Sequence, residues 1–209
     1  FFTNRDLSLG KFLYNSKMPY IFPIAQDIEY SNSKLYNSTK LQNPYILFVG
    51  GANLQPNLKG VLWFQKNVLP FIDLNLVIVG SGYEKKIKKN TNKLILLGKI
   101  DNLETIYKNS EFVIAPIFSG SGMKTKVAEA SGFGKMVFGT KEALIGYEEF
   151  LNKICVMCNN SREFINNIND YKKNINAEEK VIEIFKENYS IDSLGKNYLT
   201  LINNLKNVI

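Results

Sequence analysis

The feature that most constrains this chain is a repeated pairing. A short unbroken apolar run ends in glycine or proline, and a stretch with helical spacing follows. Tyr45–Val49 runs into Gly50-Gly51, and apolar residues then fall at 58, 61, 62, 64, 68 and 69 until Pro70. Asn75–Val79 ends in Gly80-Ser81-Gly82, with a short lysine-rich helix expected next. Leu94–Leu97 ends in Gly98, and Asp101-Asn102-Leu103-Glu104 has the spacing of a capping box opening another helix. Glu111–Pro116, Lys135–Gly139 and Lys153–Cys158 read as three further strands, with a helix over Met123–Gly132. Asn160…Glu163 offers a second capping box, and residues 177–207 read as two helices broken near Ser190-Ile191-Asp192.

The runs are continuous rather than alternating, as in parallel strands buried on both faces. Strand–helix alternation predicts an α/β fold: a Rossmann-like, doubly wound parallel sheet of about six strands with C-terminal helices. Residues 1–44 are more uneven. Phe1–Asp6 reads as a strand end running into a short helix, Tyr20–Ile24 as an extended piece, and Tyr30–Asn43 as a linker rich in Ser, Asn and Lys. The first residue is Phe rather than Met, which fits a piece of a longer protein.

Composition narrows the chemistry. The chain has 209 residues and no histidine, so it carries no Ser-His-Asp or Cys-His site and no imidazole ligand for zinc. Cys155 and Cys158 form a Cys-x-x-Cys without two further Cys or His ligands. Their strand context turns the two thiols to opposite faces, so they read as core residues. The net charge is +7, but of 26 basic residues only Arg5 and Arg162 are arginine. Base readers lean on arginine, so a nucleic-acid partner is disfavoured. The excess is largest over residues 45–150, which suits an anionic ligand or an anionic membrane surface; solvated surface lysines are the plain alternative. No signal peptide or membrane-spanning run is visible.

In such sheets ligands gather at the carboxyl ends of the strands. Gly80-Ser81-Gly82 begins like a dinucleotide fingerprint but has Lys85 in place of the third glycine, so a tight turn explains it. The loop Ser119-Gly120-Ser121-Gly122-Met123-Lys124-Thr125-Lys126 is stronger, since it leads from a strand into a helix start. Backbone amides there, with small residues allowing close approach, make an anion site. Lys124 and Lys126 oppose the helix dipole unless an anion sits beside them. Glu129, further along, has the chemistry to accept hydrogen bonds from a ribose diol; an exposed structural carboxylate is the other reading.

Phe48-Val49-Gly50-Gly51, Pro56-Asn57, Gly60 with Trp63-Phe64, Val79-Gly80-Ser81-Gly82, Leu97–Asp101, the Gly120–Lys126 loop, Glu129-Ala130 and Gly134–Thr140 occur in order and at consistent spacing. Together they resemble the donor-binding C-terminal domain of group 1 retaining glycosyltransferases, which have the two-domain B-type fold. The resemblance implies that Glu129 holds the ribose hydroxyls and that Ser119, Gly120, Ser121, Gly122, Met123, Lys124 and Thr125 surround the diphosphate. Gly98, Lys99 and Ile100 correspond to the segment meeting the nucleobase. Gly50 and Gly51 correspond to donor-binding positions, and Asn57 and Lys59 fall near the phosphates. Lys124 and Lys126 correspond to the groups that stabilise the leaving diphosphate. Ser121 stands where many relatives have the first glutamate of a pair, which leaves the sugar-facing contact unassigned, and Met136 stands where proline is usual.

The resemblance also implies an organisation: residues 1–44 as the end of an N-terminal domain and linker, 45–189 as the nucleotide-sugar domain, and 190–209 as a crossover helix. The implied partners are a nucleotide-sugar donor, a glycan or lipid-linked acceptor bound through an absent N-terminal half, and a membrane surface touched peripherally from the cytoplasmic side. No cofactor or metal is implied beyond the nucleotide sugar as substrate, and the fragment alone is expected to be inactive. A nucleotide-sugar epimerase on the same fold and a non-catalytic nucleotide-binding module are the competing readings.

Overall fold

The computed structural model describes residues 1–14, 20–28, 41, 44–88, 91–171 and 175–206. The apolar runs form β1 (Tyr45–Val49), β2 (Asn75–Val79), β3 (Leu94–Gly98), β4 (Val113–Ala115), β5 (Val137–Gly139) and β6 (Cys155–Met157). They make one sheet in the order β3-β2-β1-β4-β5-β6, and every neighbouring pair is parallel. That is the doubly wound order, with its reversal between β1 and β4. Residues 45–48 and 113–115 have 0% exposure, so side chains on both faces of the central strands are buried. Burial of each such large apolar side chain stabilises the fold by roughly 1.5–3 kcal/mol, which explains why these runs do not alternate.

The helices are α1 (Asn4–Tyr14), α2 (Gln55–Asn67), α3 (Glu104–Asn109), α4 (Thr125–Gly132), α5 (Ser161–Asp170), α6 (Ile175–Asn188) and α7 (Ile191–Lys206). Pro56 sits in the first turn of α2, where its missing N–H costs nothing. Gly60 lets α2 approach the end of β4: a Cβ there would lie 2.0 Å from the Pro116 carbonyl oxygen. Lys135, 1% exposed, pairs with Glu178 of α6 at 2.7 Å and ties that helix to the start of β5.

Several local expectations are corrected. Among the described residues no helix lies between β2 and β3; residues 84–86 make a hydrogen-bonded turn, with the Lys86 and Ile87 amides both on the Tyr83 carbonyl. The Asp101–Glu104 box does not form. Leu103 is the N-cap of α3 without a side-chain bond, because Asn102 Oδ1 accepts the Glu104 amide (3.0 Å) and Asp101 pairs with Lys99 (3.5 Å). Helix α4 starts at Thr125 rather than Met123, since Lys124 is extended (φ −100°, ψ 108°). Phe1-Phe2 is not a strand, and α1 begins at Asn4. The second box does hold: Asn160 Oδ1 accepts the Glu163 amide at 2.9 Å. Glu163 returns the bond to the amide of Asn159 rather than Asn160 (2.8 Å).

The thiols behave as core groups. Cys155 Sγ lies 3.8 Å from the carbonyls of Tyr147 and Phe150, while Cys158 accepts from Asn167 Nδ2 at 3.4 Å. Burial pushes Cys155 up to about 12 and Cys158 up to about 11, so neither is a nucleophile at neutral pH.

The expected linker over Tyr30–Asn43 lies, apart from Leu41, outside the described residues. The N-terminal segment meets α7 where the Phe22 and Tyr198 rings approach to 5.2 Å, and Gln26 bridges Ser190 in parallel. On α1, Leu9, Phe12 and Leu13 are exposed, and on α7 so are Ile191, Tyr198, Leu199 and Ile202. Among the described residues no helix is long and apolar enough to cross a membrane.

Candidate functional site

The reversal of strand order opens a crevice at the carboxyl ends of β1 and β4, and the chain fills its rim with glycine and lysine. Gly50 and Gly51 leave β1; residues 116–124 leave β4 and turn into α4. Between them lies a cleft of about 450 Å³. It is lined by Gly50, Gly51, Asn57, Ser119, Gly120, Ser121, Met123, Lys124, Thr125, Lys126 and Glu129, with Val49, Leu54, Pro56 and Ile117 completing the wall. Two separate loops from the sequence reading thus share one cavity. Gly122 belongs to the same loop with φ +65°, where a side chain would be strained.

Buried tyrosines hold both loops. Tyr83 Oη donates to the Gly50 carbonyl (2.9 Å), and Tyr147 Oη donates to the Lys124 carbonyl (3.0 Å). Thr140 Oγ1 donates to the Ile117 carbonyl and accepts from the Ala143 amide. No side chain caps α4, and its first turn contains no acidic residue. Among the described residues the amino end of α4 therefore has no side-chain acceptor, and its positive helix-dipole potential is reinforced by lysine.

The two lysines have different surroundings. Lys124 Nζ donates to the Gly122 carbonyl (2.7 Å) and lies 3.6 Å from Glu142, which also meets Arg5 of α1 (3.4 Å). Burial lowers its pKa, and Glu142 opposes that shift. Lys126 turns inward. Its Nζ donates to Asn57 Oδ1 (2.8 Å) and sits 4.2 Å from the centre of the Phe48 ring. Asn57 Nδ2 in turn donates to the Gly51 carbonyl (3.0 Å). Gly50, at φ +145°, makes room for both: a Cβ there would lie 2.7 Å from Asn57 Nδ2 and 2.9 Å from Lys126 Nζ. Burial brings Lys126 down to about 7; Glu129 works against that shift and Lys124 adds to it.

Glu129 faces the same space. Tyr107 Oη donates to its Oε2 at 3.1 Å, and the Tyr107 ring stacks on Phe133 with centroids 4.7 Å apart. Burial raises the Glu129 carboxyl, while Tyr107 and Lys126 pull it back. Glu129 also lines a smaller cavity of about 130 Å³ whose far wall includes Asp101, Asn102, Leu103 and Glu104. This carboxylate stands between a cationic cleft and a polar slot.

Five expected residues do not line the main cleft; one is Gly122, which stays within its loop. Lys59 is exposed on α2. Gly98, Lys99 and Ile100 lie at the end of β3, where the Gly98 carbonyl accepts the Gly80 amide (2.7 Å) and Lys99 points to Asp101. Phe48, Tyr83, Tyr107 and Tyr147 were not legible as site residues. Each looks like ordinary core aromatic in the sequence, and only a hydroxyl or ring face brought from a distant element gives it a role.

A family model described as Glycosyl transferases group 1 matches residues 43–174. An uncharacterised 44.6 kDa protein in the cps region of Klebsiella pneumoniae is 26% identical over 191 residues, covering 82% of this chain and 48% of the relative. The chain thus spans about half the length of that curated relative. Among solved structures, sucrose-phosphate synthase from Thermosynechococcus elongatus superposes with a TM-score of 0.71 at 12% identity, over 99% of this chain and 58% of that one. The pneumococcal O-GlcNAc transferase GtfA, solved with UDP and GlcNAc, gives 0.63 at 17% identity over 97% and 43%. The Anabaena protein HepE, solved with UDP-glucose, gives 0.55 at 14% identity over 78% and 49%. With its parallel sheet in doubly wound order and the family model matched across the whole sheet, this chain belongs to the group 1 glycosyltransferases.

Proposed function

We propose that this chain is the donor-binding half of a retaining glycosyltransferase. It takes a nucleotide diphosphate sugar, and the whole protein passes the sugar to a hydroxyl of a glycan or lipid-linked acceptor. The observation that carries this reading is the meeting of the uncapped α4 start, Lys124, Lys126 and Glu129 in one cleft at the sheet's reversal. Neighbouring folds solved with UDP or UDP-glucose support a nucleotide donor.

The diphosphate lies against the α4 amides and the two lysines. Glu129, with Oε2 held by Tyr107, presents Oε1 to the ribose hydroxyls. The nucleoside continues into the slot towards residues 98–104. As the bond between the sugar C1 and the β-phosphate oxygen breaks, the electron pair leaves with the diphosphate. Lysine charge and helix amides stabilise it there, where burial keeps solvent from screening them. The acceptor hydroxyl attacks C1 from the face of the departing group and gives its proton to a diphosphate oxygen. The exposed stripes on α1 and α7 are the face that meets the acceptor-binding half; residues 1–44 and 190–209 bracket the donor domain of 45–189. Alone, the chain binds donor and turns nothing over.

Titration calorimetry with nucleoside diphosphates tests the reading. Glu129→Ala is expected to weaken binding by about 1.5–3 kcal/mol, the usual cost of losing hydrogen bonds to a charged group. Equal binding by the variant rejects the ribose role, and no binding by the unaltered chain rejects the donor reading.

A further inference from the structure

The donor cleft has a neighbour. A cavity of about 480 Å³ lies at the carboxyl ends of β5 and β6 and shares no lining residue with the cleft. The loop leaving β4 is the partition: Ile117 and Ser119 line the cleft, while Phe118 between them lines the cavity. Lys141 and Glu142 follow β5, Asn159 follows β6, and Arg5 reaches in from α1. Phe118 is 45% exposed, yet its ring is braced edge-on against Trp63 with centroids 4.6 Å apart, and Trp63 packs in turn on Phe164 at 5.7 Å. The polar rim is held but not used up. Asn159 Oδ1 accepts the Lys141 amide (2.9 Å), Glu148 Oε2 accepts the Gly146 amide (2.8 Å), and Glu142 meets Arg5 at 3.4 Å. Among the described residues that leaves Asn159 Nδ2 to donate and Glu148 Oε1 to accept.

We infer that this cavity binds a neutral sugar ring of the acceptor glycan, so that the donor half itself carries part of the acceptor site. The acceptor assignment rests on the donor reading above. A pyranose has an apolar C–H face and a rim of hydroxyls that both donate and accept. A fixed, exposed aromatic ring suits the first, and it is already ordered by Trp63, so little freedom is lost on binding. Carboxylate, amide and guanidinium groups suit the second. Charge argues for a neutral ring. Arg5 and Lys141 stand against Glu142 and Glu148, two against two, whereas the cleft sets two lysines against Glu129. A phosphate or uronate gains no net attraction from a balanced wall. Position argues for the acceptor's sugar rather than the donor's. The loop separates the cavity from the cleft, and Arg5 belongs to α1, whose exposed apolar stripe faces the acceptor-binding half in that reading. Glu142 joins the two sites, since it also lies 3.6 Å from Lys124 Nζ.

The test is saturation-transfer NMR of the chain with methyl glucoside, methyl galactoside and methyl N-acetylglucosaminide, with and without saturating UDP, GDP or ADP. Ring C–H protons of at least one glycoside are expected to receive saturation, with a Kd of about 1–10 mM that the nucleotide does not change. Phe118→Ala is expected to weaken this about 2- to 10-fold, and Phe118→Tyr, which keeps the ring, to restore it. Asn159→Asp keeps the acceptor for the Lys141 amide and removes the Nδ2 donor, with a loss of about 2- to 10-fold expected. Nucleoside diphosphate affinity is expected to stay the same in the Phe118 variants. No saturation of any of the three glycosides overturns the inference, as does equal saturation by Phe118→Ala. Displacement of the glycoside by nucleotide overturns it in favour of the donor cleft. Tighter binding of methyl glucuronide than of the neutral glycosides overturns the neutral class. Glycoside binding through Phe118 without any nucleotide binding keeps the sugar site and overturns its acceptor assignment together with the donor reading.

Discussion

The starts of α4 and α5 are built from similar backbone and put to opposite uses. At α5, Asn160 accepts the Glu163 amide, Glu163 accepts the Asn159 amide, and an acid lies in the first turn. Every local device for satisfying and neutralising a helix start is present. At α4 there is no side-chain cap and no acid; Lys124 occupies the cap position and Lys126 lies in the first turn. Helix starts usually gain stability from such devices. The difference is that α4 lacks the local stabilising devices of α5 and leaves amides and positive charge facing a cleft.

That contrast breaks most sharply at Lys126. Lys126→Met keeps the volume and removes the buried ammonium beside Asn57 and Phe48. Below pH 7 the variant is expected to bind nucleoside diphosphate about 10- to 100-fold more weakly, the loss of one charge-assisted hydrogen bond. The sign of the pH effect follows from burial. Lys126 drops from 10.5 to about 7 in the fold, so between those values the unfolded chain holds more protons. Stability of the unaltered chain should therefore rise with pH across that window relative to the variant, with the full cost present below it. A bound diphosphate restores the proton, so affinity should fall above about pH 7 by up to about tenfold per pH unit. Glu129 and Lys124 are the charged groups facing Lys126, and both remain in the variant. Denaturant titrations and calorimetry across pH 6 to 10 measure both effects; parallel pH profiles in the two proteins would refute the assignment.

The other side of the comparison is Asn160→Ala. It should cost about 1 kcal/mol of stability, a fall of roughly 2–4 °C in melting temperature for a domain of this size. Nucleotide affinity should not change, and a change would show that the α5 start is not purely structural. The smallest effect is expected from Tyr107→Phe, which leaves Glu129 without its donor while keeping the ring stacked on Phe133. Diphosphate affinity should drop about fivefold for one neutral hydrogen bond. The same substitution in the Glu129→Ala background should have no effect if Tyr107 acts only through that carboxylate.

Much of the fold was legible because strand identity, parallel pairing and burial leave patterns that are local. Continuous apolar runs announced strands buried on two faces, and glycines at their carboxyl ends marked where the chain must turn tightly. The failures were at element starts. The Asp101–Glu104 box had the right letters, yet Asn102 took the Glu104 amide and Lys99 drew Asp101 away. The lysine-rich stretch after β2 had helix formers but only one turn of backbone bonding to Tyr83. At the box a side chain competed with backbone spacing, and composition does not record the winner.

By itself the sequence determined a parallel α/β sheet, the loops that crowd its carboxyl edge, and the absence of imidazole chemistry from this chain. Periodicity and turn chemistry suffice for those, since each depends on a few neighbouring residues. Only the tertiary structure decided that Lys126 turns inward to Asn57 while Lys124 stays with its own loop. It alone placed Tyr107 on Glu129 and set Phe118, Glu142 and Asn159 around one cavity. Those outcomes depend on which elements meet across the sheet, and a side chain's partner, burial and charge state are set there rather than along the chain.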